Sequence, residues 1–187
     1  MNTTRYTVFE TRWGYFGLVT QDEAVCRTYL PLPDADRMRR LILADIGDEA
    51  RQDDKLMNQT QERIKAYFEG ENVDFSTDPA VSLTRRSAFD REVLTACRQI
   101  GPGRRVTYGQ LADEVGHPGA ARAVGSVMAR NPIPLIIPCH RVLRSDGALG
   151  GFSAPGGVAT KKKMLELERF VCGAEPELFA TCLAVPN

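Results

Sequence analysis

Short apolar runs alternate with turn residues along the first 30 residues of the chain, which is the pattern of β-strands joined by turns. The apolar positions form three short runs, at residues 6–9, 15–20 and 25–30. Turn residues separate these runs, with Gly14 before the second and Asp22 after it. The alternation therefore predicts three strands joined by short turns.

The spacing of apolar positions changes to a helical period further along the chain. Residues 36–45 and 59–69 each carry one apolar face, and the second stretch ends near Gly70. Strands followed by helices predict a small α/β module over residues 1–80. The polar stretch that follows predicts a linker at residues 81–86.

Short helices are predicted beyond the linker. Ser87 is a candidate N-cap for the first of them, and Thr107 is a candidate N-cap for a second over residues 108–115. A third helix, over residues 120–130, stops before an Asn-Pro pair. Two short helices joined by a tight glycine-containing turn form the outline of a helix-turn-helix. We therefore predict a mostly helical second domain over residues 87–171.

The third predicted helix lacks large side chains on one side. That side carries Ala121, Gly125, Ser126 and Ala129, with Arg122 among them. Small residues let a helix backbone approach a neighbour closely, and two interpretations remain open. Either the helix packs tightly in a core, or it lies in a narrow groove, as minor-groove binding proteins require.

Composition limits the class of protein. The chain has 187 residues, of which 43% are hydrophobic and 26% are charged, so it has the material for a core and shows no compositional case for disorder. Its first residues show no secretory signal, and the apolar stretch at residues 133–138 is far too short to span a bilayer. We therefore expect a soluble cytoplasmic protein without a membrane partner.

The formal net charge of zero hides an asymmetry between the two halves of the chain. Residues 1–84 hold 10 lysines and arginines against 15 aspartates and glutamates, whereas residues 85–187 hold 14 against 9. This difference in charge is expected if an acidic module lies beside a module that faces phosphates. It is equally expected if the two halves simply have solvated surfaces of different composition. Charge therefore permits DNA binding without establishing it.

The number and spacing of the cysteines and histidines predict neither a set of disulfides nor a metal site. The five cysteines are Cys26, Cys97, Cys139, Cys172 and Cys182. An odd count at wide spacing argues against a disulfide framework. There is no CxxC pair, and His117 and His140 are the only histidines, so we expect no metal and no cofactor.

One cysteine stands in an unusual context. An apolar run ends in Pro138, and Cys139, His140 and Arg141 follow it. A thiol becomes a strong nucleophile when it is deprotonated, and His140 and Arg141 offer a proton acceptor and a cation nearby. We expect an extended strand here, in which adjacent residues point to opposite faces. His140 then needs a bend or a bridging water to reach Cys139.

Three motifs surround this centre. They are Val106-Thr107-Tyr108-Gly109-Gln110-Leu111-Ala112, Ala121-Arg122-Ala123-Val124-Gly125, and Asn131-Pro132-x-Pro134 leading into Pro138-Cys139-His140-Arg141-Val142. Further matching positions are Gly147, Gly150, Ser153, Gly157, Lys161, Leu165 and Glu168. Over residues 87–170 the chain resembles the O6-alkylguanine-DNA alkyltransferases, which are also called methylated-DNA–protein-cysteine methyltransferases. The first 80 residues resemble that family only loosely.

The resemblance implies a single-turnover DNA-repair reaction. Cys139 corresponds to the residue that accepts the alkyl group from O6 of guanine and is not regenerated. His140 corresponds to the base that reaches the thiol through water, and Glu168 to the carboxylate that orients this histidine. Tyr108 corresponds to the tyrosine that meets N3 of the extruded guanine. From the residues alone, Glu168 would be interpreted as a solvated residue on a helix face. Tyr108 would be interpreted as a partly buried core residue.

The resemblance also implies how the duplex is held. Arg122 corresponds to a finger that fills the space left by the flipped nucleotide, and flipping is needed because O6 lies inside the base stack. The other expected DNA contacts are Thr107, Ala121, Ala123, Gly125, Ser126, Ala129 and Arg130. The expected pocket residues are Tyr108, Asn131, Val142, Phe152 and Ser153.

The expected fold class is α+β. A ribonuclease-H-like module with an antiparallel sheet and helices precedes a winged-helix-like domain with a helix-turn-helix, and a tail without functional signal occupies residues 172–187. The expected partner is double-stranded DNA containing O6-alkylguanine. We expect a monomer without a cofactor, associated with the nucleoid if the source is bacterial.

The chain departs from the family pattern near the expected pocket. Phe152 stands where many members have tyrosine, and Ala154 and Pro155 extend a loop that is shorter in others. Both changes leave open whether methyl or bulkier alkyl groups are preferred.

Three alternatives differ in chemistry. A non-catalytic lesion sensor lacks the acceptor cysteine, which is present here as Cys139. A helix-turn-helix regulator needs polar base-reading side chains where residues 121–129 offer small ones. A cysteine hydrolase needs an oxyanion hole and turns over more than once.

Overall fold

The computed structural model of the chain describes residues 3–172. The elements of the first half are β1 (Thr4–Thr11), β2 (Gly14–Gln21), β3 (Ala24–Leu32), α1 (Ala35–Ile46), β4 (Arg51–Gln52) and α2 (Asn58–Glu69). The second half contains α3 (Ala88–Arg98), β5 (Val106–Thr107), α4 (Tyr108–Glu114), α5 (Ala121–Ala129), a 3₁₀ turn (Cys139–Arg141), β6 (Val142–Leu143) and α6 (Gly157–Cys172). None of the helices in this range has the length and apolar character needed to cross a membrane. The predicted tail, residues 172–187, lies outside the described residues except for Cys172 at the end of α6.

The three predicted strands are confirmed, and they form most of a four-stranded sheet of order β3-β2-β1-β4. β1, β2 and β3 pair antiparallel, and the turn before β3 places Asp22 and Glu23 at positive φ. The predicted antiparallel sheet holds for these three strands, whereas β4 pairs parallel with β1. β4 has two exposed polar residues, so it shows no hydrophobic alternation from which to predict it.

The predicted helices are also confirmed, with their caps. The Ser87 side chain accepts a hydrogen bond from the backbone N–H of Asp90 at the start of α3. Thr107 and Gln110 form a reciprocal capping box at the start of α4. Each such cap stabilises a helix by about 0.5–2 kcal/mol. The caps therefore set where these helices begin, and the cap at Thr107 sets the position of Tyr108.

The expectation of an extended strand at Cys139 is wrong. Residues Cys139–Arg141 form one 3₁₀ turn, in which the N–H of Arg141 bonds to the carbonyl of Pro138 at 2.8 Å. The strand β6 starts only at Val142 and pairs parallel with β5. A proline with fixed φ before the turn is compatible with this bend. The β5–β6 pair brings the start of α4 beside the reactive segment.

Two hydrophobic clusters lie on the two faces of the sheet. The smaller one packs α1 against the sheet through Met38 and Ile42. The larger one joins side chains of the first half, such as Phe16 and Phe68, to Cys139 and other side chains of the second half. Both predicted domains therefore contribute to one continuous core, and their boundary at residues 81–86 stays a prediction.

Candidate active site

Cys139 is buried in the 3₁₀ turn, with 6% of its surface exposed. The segment before it is held by Asn131, whose side chain donates to the carbonyl of Ile137 at 2.8 Å and accepts from the N–H of Ile133 at 3.0 Å. The N–H of Ile137 in turn bonds to the carbonyl of Ile133 at 2.8 Å. Asn131, expected in the pocket, therefore shapes the loop that carries the thiol.

His140 and Glu168 form a buried pair. The ring Nε2 of His140 lies 2.7 Å from Oε1 of Glu168, and the two side chains are 0% and 3% exposed. Burial lowers the pKa of His140 below its ordinary value, and the adjacent Glu168 only partly opposes this. His140 is therefore neutral near pH 7. Its other ring nitrogen, Nδ1, has no hydrogen-bond partner among the described protein atoms.

Glu168 receives two further donors. The guanidinium of Arg141 contacts it through Nε at 3.1 Å and Nη2 at 2.9 Å, and the hydroxyl of Tyr67 donates to it at 3.1 Å. Burial alone would raise the pKa of the Glu168 carboxyl, but His140 and Arg141 hold that pKa well below its ordinary value. Glu168 is therefore ionised throughout the neutral range.

Arg141 does not have the role expected from its position beside the thiol. Its guanidinium is buried against Glu168, and it also donates to the backbone carbonyl of Ile100. The cation that acts on the thiol is instead Lys161. Burial raises the pKa of the Cys139 thiol, while Asn131 and Lys161 partly offset this increase.

Lys161 is a site residue whose role the sequence did not reveal. It is fully buried, its Nζ donates to the carbonyl of Val142 at 2.7 Å, and the same Nζ lies 5.9 Å from the ring centroid of Tyr108. Burial lowers its pKa to about 8, against the opposing effect of the thiols of Cys139 and Cys97. Its ammonium group is therefore mostly charged near pH 7.

Tyr108 stands between two glycines. A Cβ atom on Gly150 would lie 3.0 Å from the Tyr108 hydroxyl, and a Cβ atom on Gly125 would lie 3.9 Å from the ring. Gly150 also has a positive φ of 69°, which side chains other than glycine rarely adopt. Burial raises the pKa of Tyr108. The phenol is therefore protonated at neutral pH and is able to donate a hydrogen bond.

Cys139 and Tyr108 line a pocket of about 500 Å³, which we call the base pocket after the guanine base that the family resemblance leads us to expect there. Its other walls come from Gly125, Met128, Ala129, Arg144, Gly150, Gly151, Phe152 and Ser153. Ser153 closes the rim by donating its hydroxyl to the carbonyl of Ala129 at 2.8 Å. The volume falls in the range of about 300–1,000 Å³ that is typical of small-molecule sites.

Helix α5 borders this pocket and presents its small side chains outward. Val124, Val127 and Met128 are buried, whereas the exposed residues are Arg122, Ala123, Ser126, Ala129 and Arg130, with Ala121 and Gly125 partly exposed. Arg130 lies 4.0 Å from Asp90, and the guanidinium of Arg122 has no ion-pair partner within residues 3–172. The predicted DNA contacts on α5 therefore share one outward surface, while the predicted catalytic residues lie behind it. Thr107, the remaining predicted DNA contact, is the N-cap of α4.

One residue of the site could not have been found from local sequence. Tyr67 lies on α2, and it reaches Glu168 across 101 residues of chain. Lys161, in contrast, had a detectable signal. It lies two turns before Glu168 on α6, on the same helix face as the buried Met164 and Leu165. A lysine in a buried stripe is unusual enough to indicate a function.

Comparisons with known proteins show which family the chain is similar to. The family described as 6-O-methylguanine DNA methyltransferase, DNA binding domain, matches residues 88–170. A methylated-DNA–protein-cysteine methyltransferase of Mycobacterium tuberculosis (strain H37Rv) is 42% identical over 118 residues, which are 63% of this chain and 68% of that protein. One of Methanosarcina acetivorans is 31% identical over 163 residues, which are 87% of this chain and 97% of that protein.

A solved structure is similar over most of the chain. The crystal structure of Mycobacterium tuberculosis OGT in complex with DNA superposes with a TM-score of 0.73 at 31% sequence identity, and covers 89% of this chain and 93% of that chain. The match includes the sheet and the helices, so the α+β architecture is shared. The chain therefore belongs to the family of methylated-DNA–protein-cysteine methyltransferases.

Proposed function

We propose that the chain repairs DNA by moving the alkyl group of an O6-alkylguanine onto Cys139, once and irreversibly. The observation that carries this proposal is a thiol at the wall of a pocket with a buried acid–base pair behind it. Cys139 lines the base pocket, and the adjacent His140 contacts Glu168 at 2.7 Å. A nucleophile, a base and a group that orients the base are the parts of an activated thiol.

The transfer is a displacement at the alkyl carbon. A bond forms between Sγ of Cys139 and this carbon as the carbon–O6 bond breaks, and the electron pair of the broken bond stays on guanine. The product is a thioether, and no group near Cys139 among residues 3–172 offers a way to cleave it. One chain therefore corrects one lesion.

His140 Nδ1 is the proposed acceptor of the thiol proton. The Glu168 carboxylate only accepts hydrogen bonds, so Nε2 of His140 carries the ring hydrogen and Nδ1 carries the lone pair. Nδ1 has no other partner among the described atoms. Because Cys139 and His140 are successive residues of a turn, we propose that one bridging water carries the proton between them. Glu168 then stabilises the imidazolium that forms.

Tyr108 and Lys161 are the proposed stabilisers of charge. The Tyr108 hydroxyl faces the base pocket, where it can donate to N3 of guanine and so reduce the negative charge on the leaving base. The Lys161 ammonium favours the thiolate of Cys139, whose pKa it lowers. Its bond to the Val142 carbonyl orients the backbone there, where we propose that carbonyl groups meet the guanine edge.

Helix α5 is the proposed DNA-contacting surface. Its exposed residues are small except for the two arginines, so its backbone can approach the minor groove closely. Arg122 is proposed to enter the stack where the nucleotide leaves it. The solved relative named above was crystallised with DNA, and its likeness to this chain supports the same partner.

The finer classification of the fold is part of the proposal. The β1–β2–β3 meander with α1 and α2 supports a ribonuclease-H-like first module. The α4–α5 pair with the short β5–β6 pair supports a winged-helix-like second domain. We propose that the chain acts as a monomer, in the cytoplasm where its DNA substrate lies.

Intact-mass spectrometry after incubation with a duplex containing O6-methylguanine tests the proposal. The expected result is a gain of one methyl group, which saturates at one per chain and maps to Cys139. Cys139→Ser should gain no mass and still bind the duplex, whereas the control Cys26→Ser, at a partly exposed cysteine away from the pocket, should behave as wild type. Tight binding of wild type without a mass gain would instead indicate a lesion sensor.

A further inference from the structure

Arg144 is the only permanently charged residue among the described residues that line the base pocket. It follows β6 directly, and its side chain is exposed. The family motifs do not include it, because they run as far as Val142 and resume at Gly147. The proposed alkyl transfer and the α5 surface do not use it either. A single cation at the wall of an otherwise uncharged pocket indicates that part of the substrate is an anion.

A hydrogen-bonded turn holds Arg144 at the pocket. Its backbone N–H donates to the carbonyl of Ala148 at 2.9 Å, and its carbonyl accepts from the N–H of Gly147 at 3.0 Å. Gly147 has a φ of 79°, which glycine adopts more readily than other residues. The carboxylate of Asp146 accepts from the N–H of Ala148 at 3.1 Å and lies 2.9 Å from Nη2 of Arg144. The turn therefore presents the guanidinium in one place.

The ion pair with Asp146 leaves the guanidinium able to bind a second anion. Asp146 is the only ion-pair partner of Arg144 within residues 3–172, and the two side chains are 54% and 60% exposed. Ion pairs as exposed as this contribute little to stability. A guanidinium has five N–H donors, and its planar fork matches two oxygens of one phosphate. A phosphate can therefore bind beside Asp146 or replace it.

Gly150 brings Arg144 next to Tyr108. A Cβ atom on Gly150 would lie 3.0 Å from the Tyr108 hydroxyl and 3.6 Å from Cγ of Arg144, so both side chains reach the same point of the wall. In the proposed complex the Tyr108 hydroxyl donates to N3 of guanine. N3 lies on the edge of the base that is attached to the sugar. Arg144 therefore lies on the sugar side of the flipped nucleotide, and its guanidinium extends from there towards solvent.

We propose that Arg144 binds a backbone phosphate next to the flipped nucleotide. The base of this nucleotide enters the pocket, whereas its charged phosphates must stay in water at the mouth. Arg122 then acts on the base stack that the nucleotide leaves, and Arg144 acts on the nucleotide that has left it. The inference rests on the proposed alkyl transfer and adds a residue that recognises the sugar–phosphate part of the substrate rather than the lesion.

Uncharged linkages in the substrate test this contact directly. Duplexes contain O6-methylguanine with a methylphosphonate in place of the phosphate on its 5′ side, on its 3′ side or at neither position. They are reacted with wild type and with Arg144→Met, which keeps an apolar stem and removes the charge. The second-order rate constant of methyl transfer is measured for each combination, and thermal unfolding shows that each variant is folded.

Arg51→Met is the matched control for the loss of one arginine. Arg51 is exposed on β4, at the edge of the sheet opposite β3. β3 is the strand that contacts the loop before Cys139, since the Thr28 hydroxyl donates to the carbonyl of Pro134 at 2.7 Å. Arg51→Met should therefore respond to each methylphosphonate as wild type does.

On the fully charged duplex, Arg144→Met should slow transfer by about tenfold, which is typical for the loss of a hydrogen bond between charged groups. A methylphosphonate at the contacted linkage should slow wild type by a similar factor. It should slow Arg144→Met by less than about twofold, because that contact is already lost. Arg144→Lys keeps the charge without the planar fork, so it should recover part of the rate.

Free O6-benzylguanine has no phosphate, so Arg144→Met should react with it at the rate of wild type. A lower rate with this free base would assign Arg144 to the shape of the base pocket and overturn the phosphate contact. Equal slowing of wild type and Arg144→Met by the methylphosphonates at both positions would overturn it as well. A wild type that accepts no alkyl group from either substrate would instead overturn the proposed function itself.

Discussion

Tyr67 and Glu168 are joined by a buried hydrogen bond of 3.1 Å, although 101 residues separate them in the chain. Tyr67 belongs to α2 in the first half, and Glu168 orients His140 from α6 in the second. Burial and the adjacent Glu168 raise the pKa of Tyr67 well above its ordinary value, so its hydroxyl remains a donor. The first half of the chain therefore contacts the acid–base pair directly.

Tyr67→Phe should lower both stability and the rate of alkyl transfer. The variant keeps the ring, which packs edge-on against Phe68, and removes only the hydroxyl. A hydrogen bond to a charged acceptor contributes about 1.5–3 kcal/mol, so the free energy of unfolding in urea should fall by about this amount. The rate should fall several-fold, because Glu168 is then held by fewer donors.

Tyr6→Phe is the matched control for that experiment. Tyr6 is also buried, and its hydroxyl bonds to the side chain of Gln52 at 3.4 Å, away from the thiol. This variant should lose some stability at an unchanged transfer rate. If Tyr67→Phe behaves in the same way as Tyr6→Phe, the bond to Glu168 has no part in the chemistry.

Lys161→Met should slow alkyl transfer without unfolding the protein. The variant removes the buried ammonium that partly offsets the raised pKa of the Cys139 thiol. Replacing a buried charge with an apolar side chain of similar length is often neutral or stabilising, so the thermal midpoint should change little. Single-turnover rates with free O6-benzylguanine, measured from pH 6 to 9, should be lower than those of wild type. A large loss of stability at an unchanged rate would assign Lys161 to structure alone.

The pH dependence of transfer should distinguish a base-assisted thiol from a free thiolate. Burial raises the pKa of the Cys139 thiol above its ordinary value of 9.0 and lowers that of His140 below 6.5. At a pH between these two pKa values, Cys139 is a thiol and His140 is a neutral imidazole. In this form the thiol can pass its proton to the imidazole. The rate should therefore be level near pH 7 and should fall in acid as His140 becomes protonated.

Above pH 8 the rate should decline, because Lys161, with a pKa of about 8, then loses its charge. A free thiolate would instead make the rate rise about tenfold per pH unit through the neutral range. His140→Gln should convert the level profile into that rising one. A rising profile in the wild type would contradict the role of His140 as the base.

Much of the fold could be predicted from sequence because its signals are local. Ser87 and Thr107 cap helices through contacts only three residues away. The first three strands are short apolar runs that turn residues separate. β4, β5 and β6 were missed because each has two residues and its partner is distant in the chain. The bend at Cys139 was missed because an apolar run before a proline fits a strand equally well.

The site was predictable only in part for the same reason. Cys139, His140 and Glu168 were singled out by family motifs, and their chemical roles stay predictions until the rates are measured. The donors around Glu168 come from two separate parts of the chain, the 3₁₀ turn and α2, and only the completed fold brings Tyr67 to it. Burial also decides the charge states, since it keeps His140 neutral and brings the pKa of Lys161 close to neutrality.

Arg122→Ala should separate nucleotide flipping from the chemistry. The Arg122 side chain is exposed on α5, whereas the reactive groups lie behind that helix. Extruding a base from a duplex costs a few kcal/mol, and a side chain that fills the vacated space offsets part of this cost. The variant should therefore react more slowly with O6-methylguanine in duplex DNA, by about tenfold or more if the finger contributes about 1.4 kcal/mol. Its rate with free O6-benzylguanine, which needs no flipping, should be unchanged.

Arg40→Ala is the control for the loss of one positive charge. Arg40 is exposed on α1, in the acidic half of the chain, and its removal should alter neither rate. Equal slowing of both substrates by Arg122→Ala would mean that Arg122 supports the active site rather than the flipped state. If the slowing by Arg122→Ala disappears when the lesion is placed in single-stranded DNA, the whole effect belongs to opening of the duplex. The reason is that an unpaired base does not have to be extruded.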